Sequence, residues 1–328
     1  MTAKRKAGRK TTQGKGLRGR LQVSIIGAGR IGTALGIALN KAGHSLNLIV
    51  AKHTASAKRA ARLAGGRTLA LSVKQTQQPK SDYREQLRES DVIFIATPDD
   101  VISSVADELA AWMKFAQTSP HRPVVLHTSG ALSSNVLLPL RRLGVSVGAL
   151  HPLVSISNAQ DGAKWLTRAF FSVEGDRSAV RAGKRIVRDL GGRAFTITSD
   201  AKPLYHAAAL MASPNLTALV DIALEMLGHC GLTANQARKV LLPLIQSTID
   251  NLAVADPIHA LTGTFKRGDV ATVIKHVEAI SAEELFDALE TYVVLGRRSV
   301  KLAHRDPIFG TEIEQILALA ARRARDRS

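Results

Sequence analysis

The stretch LQVSIIGAGRIG, Leu21–Gly32, decides the fold. LQVSII is a short apolar run ending at glycine, which marks a buried parallel strand. RIGTALGIALNKAG follows with Ile31, Leu35, Ile37 and Leu39 apolar and Gly43 as a stop, which predicts a helix. Between the two, Gly27, Gly29 and Gly32 match G-x-G-x-x-G. Gly27 permits a tight turn, Gly29 lets backbone approach a pyrophosphate, and Gly32 lets helix and strand pack closely. The free N–H groups at the helix start then face the phosphates. Gly27, Ala28, Gly29, Arg30, Ile31 and Gly32 are therefore the candidate phosphate-binding turn of a dinucleotide site.

Working outward, SLNLIVAK (45–52) reads as a second strand and 54–65 as a second helix ending at Gly65-Gly66. Residues 67–71 read as a short third strand. A polar insert then leads to DVIFIATP, a buried strand stopped at Pro98, and to a helix capped by Asp99 or Asp100. PVVLHTSGA and VSVGALHPL are further strands, with helix at Leu137–Leu143 between them. FFSVEGD and AFTITS add two strands around a helix at 176–190. This alternation predicts an α/β fold, a Rossmann-like doubly wound sheet over 21–200. After Ala201 the pattern turns helical, at 201–228, 233–254, 267–282 and 283–303, so 201–320 reads as an all-helical second domain.

Charge gives weaker guidance. The net +18 is concentrated at the ends: residues 1–20 hold eight Lys or Arg and no acid, and Arg322–Ser328 adds +3. These read as solvated basic tails, 1–20 and 321–328, the first disordered, with nonspecific contact of the first with phosphate polymers as the lesser alternative and no specific nucleic-acid binding expected. The basic start lacks the apolar core of a secretory signal. No uninterrupted apolar run of membrane-spanning length stands out. One cysteine, Cys230, excludes an internal disulfide and a Cys-rich metal site, and the dispersed histidines do not form a zinc signature. A cytoplasmic protein without membrane contact is the simplest expectation.

The cofactor is read from the end of the second strand. A reader of a ribose 2′-OH is an acid there. The segment Val50–Arg59 has none, and Lys52, His53, Thr54, Ser56, Lys58 and Arg59 suit a 2′-phosphate. This favours NADP and leaves NAD open. FAD has no further support in the chain.

Ligands of such sheets lie beyond the carboxyl ends of the strands. Thr97 and Pro98 then fall along the cofactor's inner edge. His127, Thr128 and Ser129 fall near the nicotinamide or substrate, and His151 lines the pocket. Lys202 and His206, four residues apart on one helical face, are candidate proton donors together with Tyr205. Asn215 is a candidate to orient the substrate, and Arg267, beside the turn Thr262-Gly263-Thr264, to hold a carboxylate. Each has a plain structural alternative: caps for Lys202, Asn215 and Asp269, hydrogen-bonded structural roles for the histidines, and an interhelical connector for 260–269.

Several stretches together resemble one family: GAGRIGTAL, ATPDD, LHTSGAL and HPL in the first half, then YHAAALMAS (205–213), LLPLIQSTIDN (241–251) and ALTGTFKRGDVATVIKH (260–276). The chain resembles the Rossmann-like proteins whose C-terminal part is the domain of unknown function 2520, from about Leu21 to Val300. Their layout is similar to ketopantoate reductase and pyrroline-5-carboxylate reductase. The resemblance implies an N-terminal NAD(P) domain and a helical domain that often dimerises. The chain departs from the family's usual pattern at SPN (213–215), where SNY is more common, and at ALTGT (260–264), where ALTGP is usual. Fold does not fix reaction. Two functions remain open here: an NADP-dependent oxidoreductase for a small, polar, carboxylated substrate, working as a homodimer, and a nonenzymatic NAD(P)-binding sensor or scaffold.

Overall fold

The computed structural model describes residues 19–65, 68–73, 83–115, 121–303 and 307–325. Residues 1–18 of the tail expected at 1–20 lie outside these, as do 326–328. The chain divides into two compact units, Met1–Leu210 and Met211–Ser328.

The first unit is built on an eight-stranded sheet of order β3-β2-β1-β4-β5-β6-β7-β8. Its strands are β1 (Gln22–Ile26), β2 (Ser45–Ala51), β3 (Leu69–Ser72), β4 (Val92–Ile95), β5 (Val124–His127), β6 (Val147–Leu153), β7 (Phe170–Gly175) and β8 (Arg193–Thr196). All neighbours pair in parallel except β6 and β7, which run antiparallel. The central strand VIFI of β4 is buried on both faces, as a parallel strand covered by helices must be.

Helices α1 (Arg30–Lys41), α2 (Thr54–Ala64), α6 (Ala159–Leu166) and α7 (Arg177–Asp189) cover one face, where Leu35, Leu39, Ala60, Leu166 and Ile186 join Ile25 and Phe94 in one core. Helices α3 (Tyr83–Glu89), α4 (Asp99–Phe115) and α5 (Leu138–Arg141) cover the other, around Leu87, Ile93, Ile102 and Leu140. Each of these Leu, Ile and Phe side chains, once fully buried, stabilises the fold by about 1.5–3 kcal/mol. α3 forms in the insert read as merely polar, because Leu87 gives it one apolar anchor at 1% exposure. α6 was not visible in the sequence. It starts at the Asn158 cap, whose side chain accepts from Asp161 N at 2.9 Å, and buries Gly162, Ala163 and Leu166.

Helix α8 (Lys202–Ala212) begins in the first unit, and residues 201–210, read from the sequence as opening the helical domain, belong to the sheet's unit. The second unit holds α9 (Pro214–His229), α10 (Ala234–Val254), α11 (Pro257–Ala260), α12 (Thr264–Arg267), α13 (Val270–Ala282), α14 (Phe286–Ala303) and α15 (Pro307–Arg325). Its core joins Val273, Val277 and Ile280 of α13 to Leu289, Val293, Ile313 and Leu317. Helix α15 continues to Arg325, into the stretch read as a basic tail, because Ile313, Leu317 and Ala320 give it a buried face.

Among the described residues, Ser199–His229 is long and apolar enough to cross a membrane, by length and composition alone. Polar residues interrupt it throughout, and none of its most apolar window is buried in the chain.

Candidate functional site

The glycine turn has the geometry that a phosphate cradle needs. Gly27 sits at φ +113, and a Cβ there would stand 2.3 Å from Ala96 O and 2.8 Å from Thr97 N. A Cβ on Gly32 would stand 2.0 Å from Gly27 O. Both glycines are therefore required by packing. Gly29 differs: a Cβ there would meet nothing within 4 Å. Its backbone faces open space at the start of α1, where it is the N-cap without a side-chain cap bond and the first turn has no acid. The α1 N–H groups thus point into free space with a positive dipole behind them. Arg30 is exposed beside them, while Ala28 and Ile31 pack against the core.

At the end of β2 a second helix start repeats this arrangement. His53 is the N-cap of α2, again without a side-chain bond or an acid in the first turn. Lys52, His53, Lys58 and Arg59 are exposed, and Thr54 is half-buried. At the end of β4, Thr97 Oγ1 is buried without a hydrogen-bond partner, and Pro98 is exposed. These residues fit a dinucleotide: an open cradle at Gly29, cations at the end of β2, and an unpaired hydroxyl at the end of β4.

The ends of β5 and β6 bring the next group together with the first turns of α8. Lys202 is fully buried, at 0% exposure, and its Nζ donates to Ser129 O at 3.0 Å. Burial lowers its pKa, while the Glu174 and Asp99 carboxylates pull it back up. Ser129 Oγ donates to Asp99 Oδ2 at 2.8 Å and accepts from Leu132 N at 2.9 Å. Glu174, at 5% exposure, accepts from Ser134 N (2.6 Å), Ser134 Oγ (2.9 Å) and Ser199 Oγ (2.9 Å). It also lines a cavity of about 380 Å³ with Arg141, Thr196 and Thr198.

Three histidines surround this buried cation. His127 is fully buried, and its Nδ1 accepts from Ser129 N at 3.2 Å. Burial, then the Lys202 charge, push its pKa down to about 3. His151 Nδ1 lies 2.7 Å from Tyr205 Oη, and burial, then Lys202 and His206, push its pKa down to about 4. The His206 ring stands edge-on to His151, with centroids 5.6 Å apart, and its Nδ1 is buried without a partner. Gly130 makes this approach possible: a Cβ there would fall 2.3 Å from His206 Nδ1 and 2.9 Å from His151 Nε2. Chemically, the cluster offers the neutral imidazoles of His127 and His151, the His206 ring and a phenol beside a shielded cation, a set able to hold and pass a proton.

The structure thus gathers Lys202, Tyr205, His206, His127, Ser129 and His151 in the first unit. Asn215 and Arg267 belong to the second. Asn215 is exposed, its Nδ2 donating to Met211 Sδ at 3.0 Å, and Arg267 is exposed at the end of α12, before Gly268. Sequence reasoning missed Glu174, although an acid inside the otherwise apolar FFSVEG was a signal. It read Asp99 only as a cap, whereas its Oδ2 accepts from Ser129 Oγ. The need for glycine at 130 had no local signal.

Comparison with known proteins agrees with this architecture. A Rossmann-like domain model matches residues 8–152, and the model of the domain of unknown function DUF2520 matches 169–299. No curated protein matches the chain. Among solved structures, a Bacteroides fragilis protein described as an NADP oxidoreductase is 19% identical over 86% of this chain and 98% of its own, with a TM-score of 0.66. Protein TM1727 of Thermotoga maritima is 22% identical, covering 92% and 99%, with a TM-score of 0.56. The Plasmodium falciparum pyrroline carboxylate reductase, solved with NADP bound, is 13% identical, covering 87% and 98%, with a TM-score of 0.53. At these identities the likeness is one of fold. The chain is a Rossmann-like protein whose C-terminal part is a domain of unknown function 2520.

Proposed function

We propose that the protein is an NADP-dependent reductase or dehydrogenase acting on a C=O or C=N bond of a small, polar, carboxylated substrate. The observation that carries this reading is the open Gly29 cradle in the same unit as a polar cluster with an unpaired, buried His206 Nδ1. The solved relatives support it, since one is described as an NADP oxidoreductase and another holds NADP. When bound, the nicotinamide supplies or takes the hydride. Gly29 and the start of α1 bind the pyrophosphate, Lys52, His53, Thr54 and Lys58 hold the 2′-phosphate, and Thr97, Pro98, His127 and Ser129 line the inner end. His206 Nδ1 holds the proton exchanged with the substrate, and the His151–Tyr205 pair steadies it. The Lys202 charge, felt at His127 and His151, favours an anionic substrate.

The test is NADPH consumption against a panel of small 2-oxo acids and carboxylated cyclic imines. At least one substrate is expected to turn over, and His206→Ala to slow it by roughly 10²–10⁴-fold. NADPH binding without turnover of any of them would favour a sensor or scaffold instead. Cofactor choice is tested separately. Lys52→Glu with Lys58→Glu is expected to weaken NADPH about tenfold or more, at ~1.4 kcal/mol per decade, and to leave NADH unchanged. Equal losses for both would remove the 2′-phosphate role.

The working unit in this reading contains a second copy of the chain. In α10 only Ala237 is buried, while Val240 (58%), Leu242 (55%) and Leu244 (61%) stand exposed. α9 adds Leu216 and Leu219. A helix of 21 residues with this much bare apolar surface is typical of an obligate homodimer interface. Sedimentation of the wild type is expected to give a dimer, and Leu242→Asp with Leu244→Asp a monomer. A monomeric wild type, or its capture by lipid vesicles in place of dimerisation, would overturn this.

A further inference from the structure

The contact between His151 and Tyr205 decides where the His151 hydrogen sits. Among the described residues, Tyr205 Oη has its hydrogen bond with His151 Nδ1, at 2.7 Å. Either the phenol donates to the ring or the ring donates to the phenol. If Nδ1 carried the hydrogen, the phenol's own hydrogen would lack an acceptor, because Ser172 Oγ is buried without a partner in hydrogen-bond reach. The phenol is also the stronger acid, and the bare imidazole nitrogen the stronger base. The phenol therefore donates, Nδ1 is bare, and the hydrogen is on Nε2.

The sheet holds this arrangement in place. His151 on β6 stands directly opposite Ser172 on β7, and Ser172 is level with Phe195 on β8, so the three share one face. Tyr205 lies over that row, edge-on to His151 with centroids 5.6 Å apart and to Phe195 at 5.8 Å. Burial raises the Tyr205 pKa, and the nearby Ser172 hydroxyl pulls it back down, as a donor does and an acceptor does not. Burial, then Lys202 and His206, push the His151 pKa down to about 4, so at neutral pH the ring carries a single hydrogen.

Nε2 then meets His206 at one spot. A Cβ on Gly130 would stand 2.9 Å from His151 Nε2 and 2.3 Å from His206 Nδ1, so both nitrogens border the same point. Neither is paired: among the described residues His151 has no second hydrogen bond, and His206 Nδ1 is buried without one. Two ring nitrogens from β6 and α8 converge without satisfying each other, which calls for a third polar atom that satisfies both.

We propose that the His151 Nε2–H, fixed by Tyr205, is a second hydrogen-bond donor to the substrate beside His206 Nδ1, and that this pair selects a carbonyl over an imine. A carbonyl oxygen has two lone pairs and accepts from both rings. A neutral imine nitrogen has one lone pair, and a protonated one has none. The inference rests on the reductase reading and narrows its substrate to a C=O compound. In the step itself, the substrate carbon takes a hydride from the reduced nicotinamide and the carbonyl π pair moves to oxygen. That oxygen takes the Nδ1 proton of His206, which passes from imidazolium to imidazole. His151 keeps its proton and acts as a neutral donor to the developing negative charge. The substrate becomes an alcohol, the nicotinamide is oxidised, and His206 regains a proton from water.

Nitrogen-15 NMR of the histidine rings in the full chain, without cofactor, tests the donor. At neutral pH His151 is expected as the Nε2–H tautomer, and Tyr205→Phe is expected to shift its Nδ1 resonance by removing the hydrogen bond there. An Nδ1–H tautomer in the wild type, or unchanged His151 resonances in Tyr205→Phe, would overturn the proposal. NADPH consumption tests the substrate. kcat/KM is expected to be at least about tenfold higher for small 2-oxo acids than for carboxylated cyclic imines. His151→Leu is expected to lower kcat roughly 10²-fold with KM little changed, and His151→Gln, whose amide is also a donor, to recover part of it. Thermal melting confirms the fold of each variant. Equal losses in the two His151 variants would reduce the residue to a structural role and overturn the proposal. Preference for the imines would overturn it and leave the reductase reading standing, whereas turnover of neither class would overturn that reading and the carbonyl choice with it.

Discussion

Gly29→Ala is expected to fold like the wild type and to lose dinucleotide affinity, whereas Gly27→Ala and Gly32→Ala lose stability first. The three glycines share one motif, yet their surroundings differ. At Gly27 an alanine must accept φ +113 and a Cβ 2.3 Å from Ala96 O. A left-handed backbone costs an alanine roughly 1–2 kcal/mol, and overpacking adds about 1–3 kcal/mol. At Gly32 the added Cβ meets Gly27 O at 2.0 Å, and only a shift of helix against strand relieves it. At Gly29 the backbone is ordinary, with φ −72, and nothing stands within 4 Å. The added methyl there projects only into the space claimed for the pyrophosphate. Urea denaturation should show Gly29→Ala near wild type and Gly27→Ala about 3 kcal/mol or more less stable. NADPH affinity of Gly29→Ala should fall at least tenfold, about 1.4 kcal/mol. A Gly29→Ala protein that binds NADPH normally would place the phosphates elsewhere.

The second large effect is expected from Lys202→Met. The side chain is similar in length, but the buried cation between Asp99 and Glu174 is gone and Ser129 O loses its donor. Leaving the buried Ser129 O without its donor costs about 1–3 kcal/mol, and Glu174 also loses a nearby positive charge. The pH dependence carries a second signature. His127 and His151 titrate near 3 and 4 in the folded chain, against 6.5 when unperturbed. Below pH 6.5 the unfolded chain therefore takes up protons that the folded chain refuses. Stability is held above that pH and lost as pH falls toward 4, at up to ~1.4 kcal/mol per unit for each histidine. Lys202 is the second cause of both depressions, after burial. In Lys202→Met both histidines should titrate higher and the acid loss should be shallower. NMR titration of the histidine Cε1 protons reads this directly. Unchanged titration would show that Lys202 does not act on the cluster.

The fold was legible where the pattern is local. The unit from β1 through β2 combines a strand, a glycine turn and a helix of period 3.6, each with its own signal in Leu21–Ala51. The direction of β7 was not legible, because FFSVEG reads alike in either sense. α6 was missed because SNAQDGAKWL is short and half polar, and its packing against α1 adds to the Asn158 cap in making it a helix. Residues 201–210 read as the start of the helical domain because α8 continues a helical pattern. Lys202 instead reaches Ser129, 73 positions earlier.

The candidate site divides the same way. His127 and His151 were legible as strand-end residues, since position at a strand's carboxyl end follows from the strand itself. Their neutrality was not, because it depends on a lysine brought in by tertiary packing. Asp99 on Ser129 joins positions 30 apart, and Glu174 on Ser134 positions 40 apart. No spacing rule in a single sequence connects such pairs. Gly130 is glycine because two imidazoles from separate elements press on it.

Dinucleotide binding at the glycine turn is tested most directly by calorimetric titration of the full chain with NADPH and then NADH. Saturable binding of one NADPH per chain is expected, tighter than NADH and weakened at least tenfold by Gly29→Ala. Absence of binding by either dinucleotide in the folded wild type would contradict it, and tighter binding of NADH would contradict the choice of NADP.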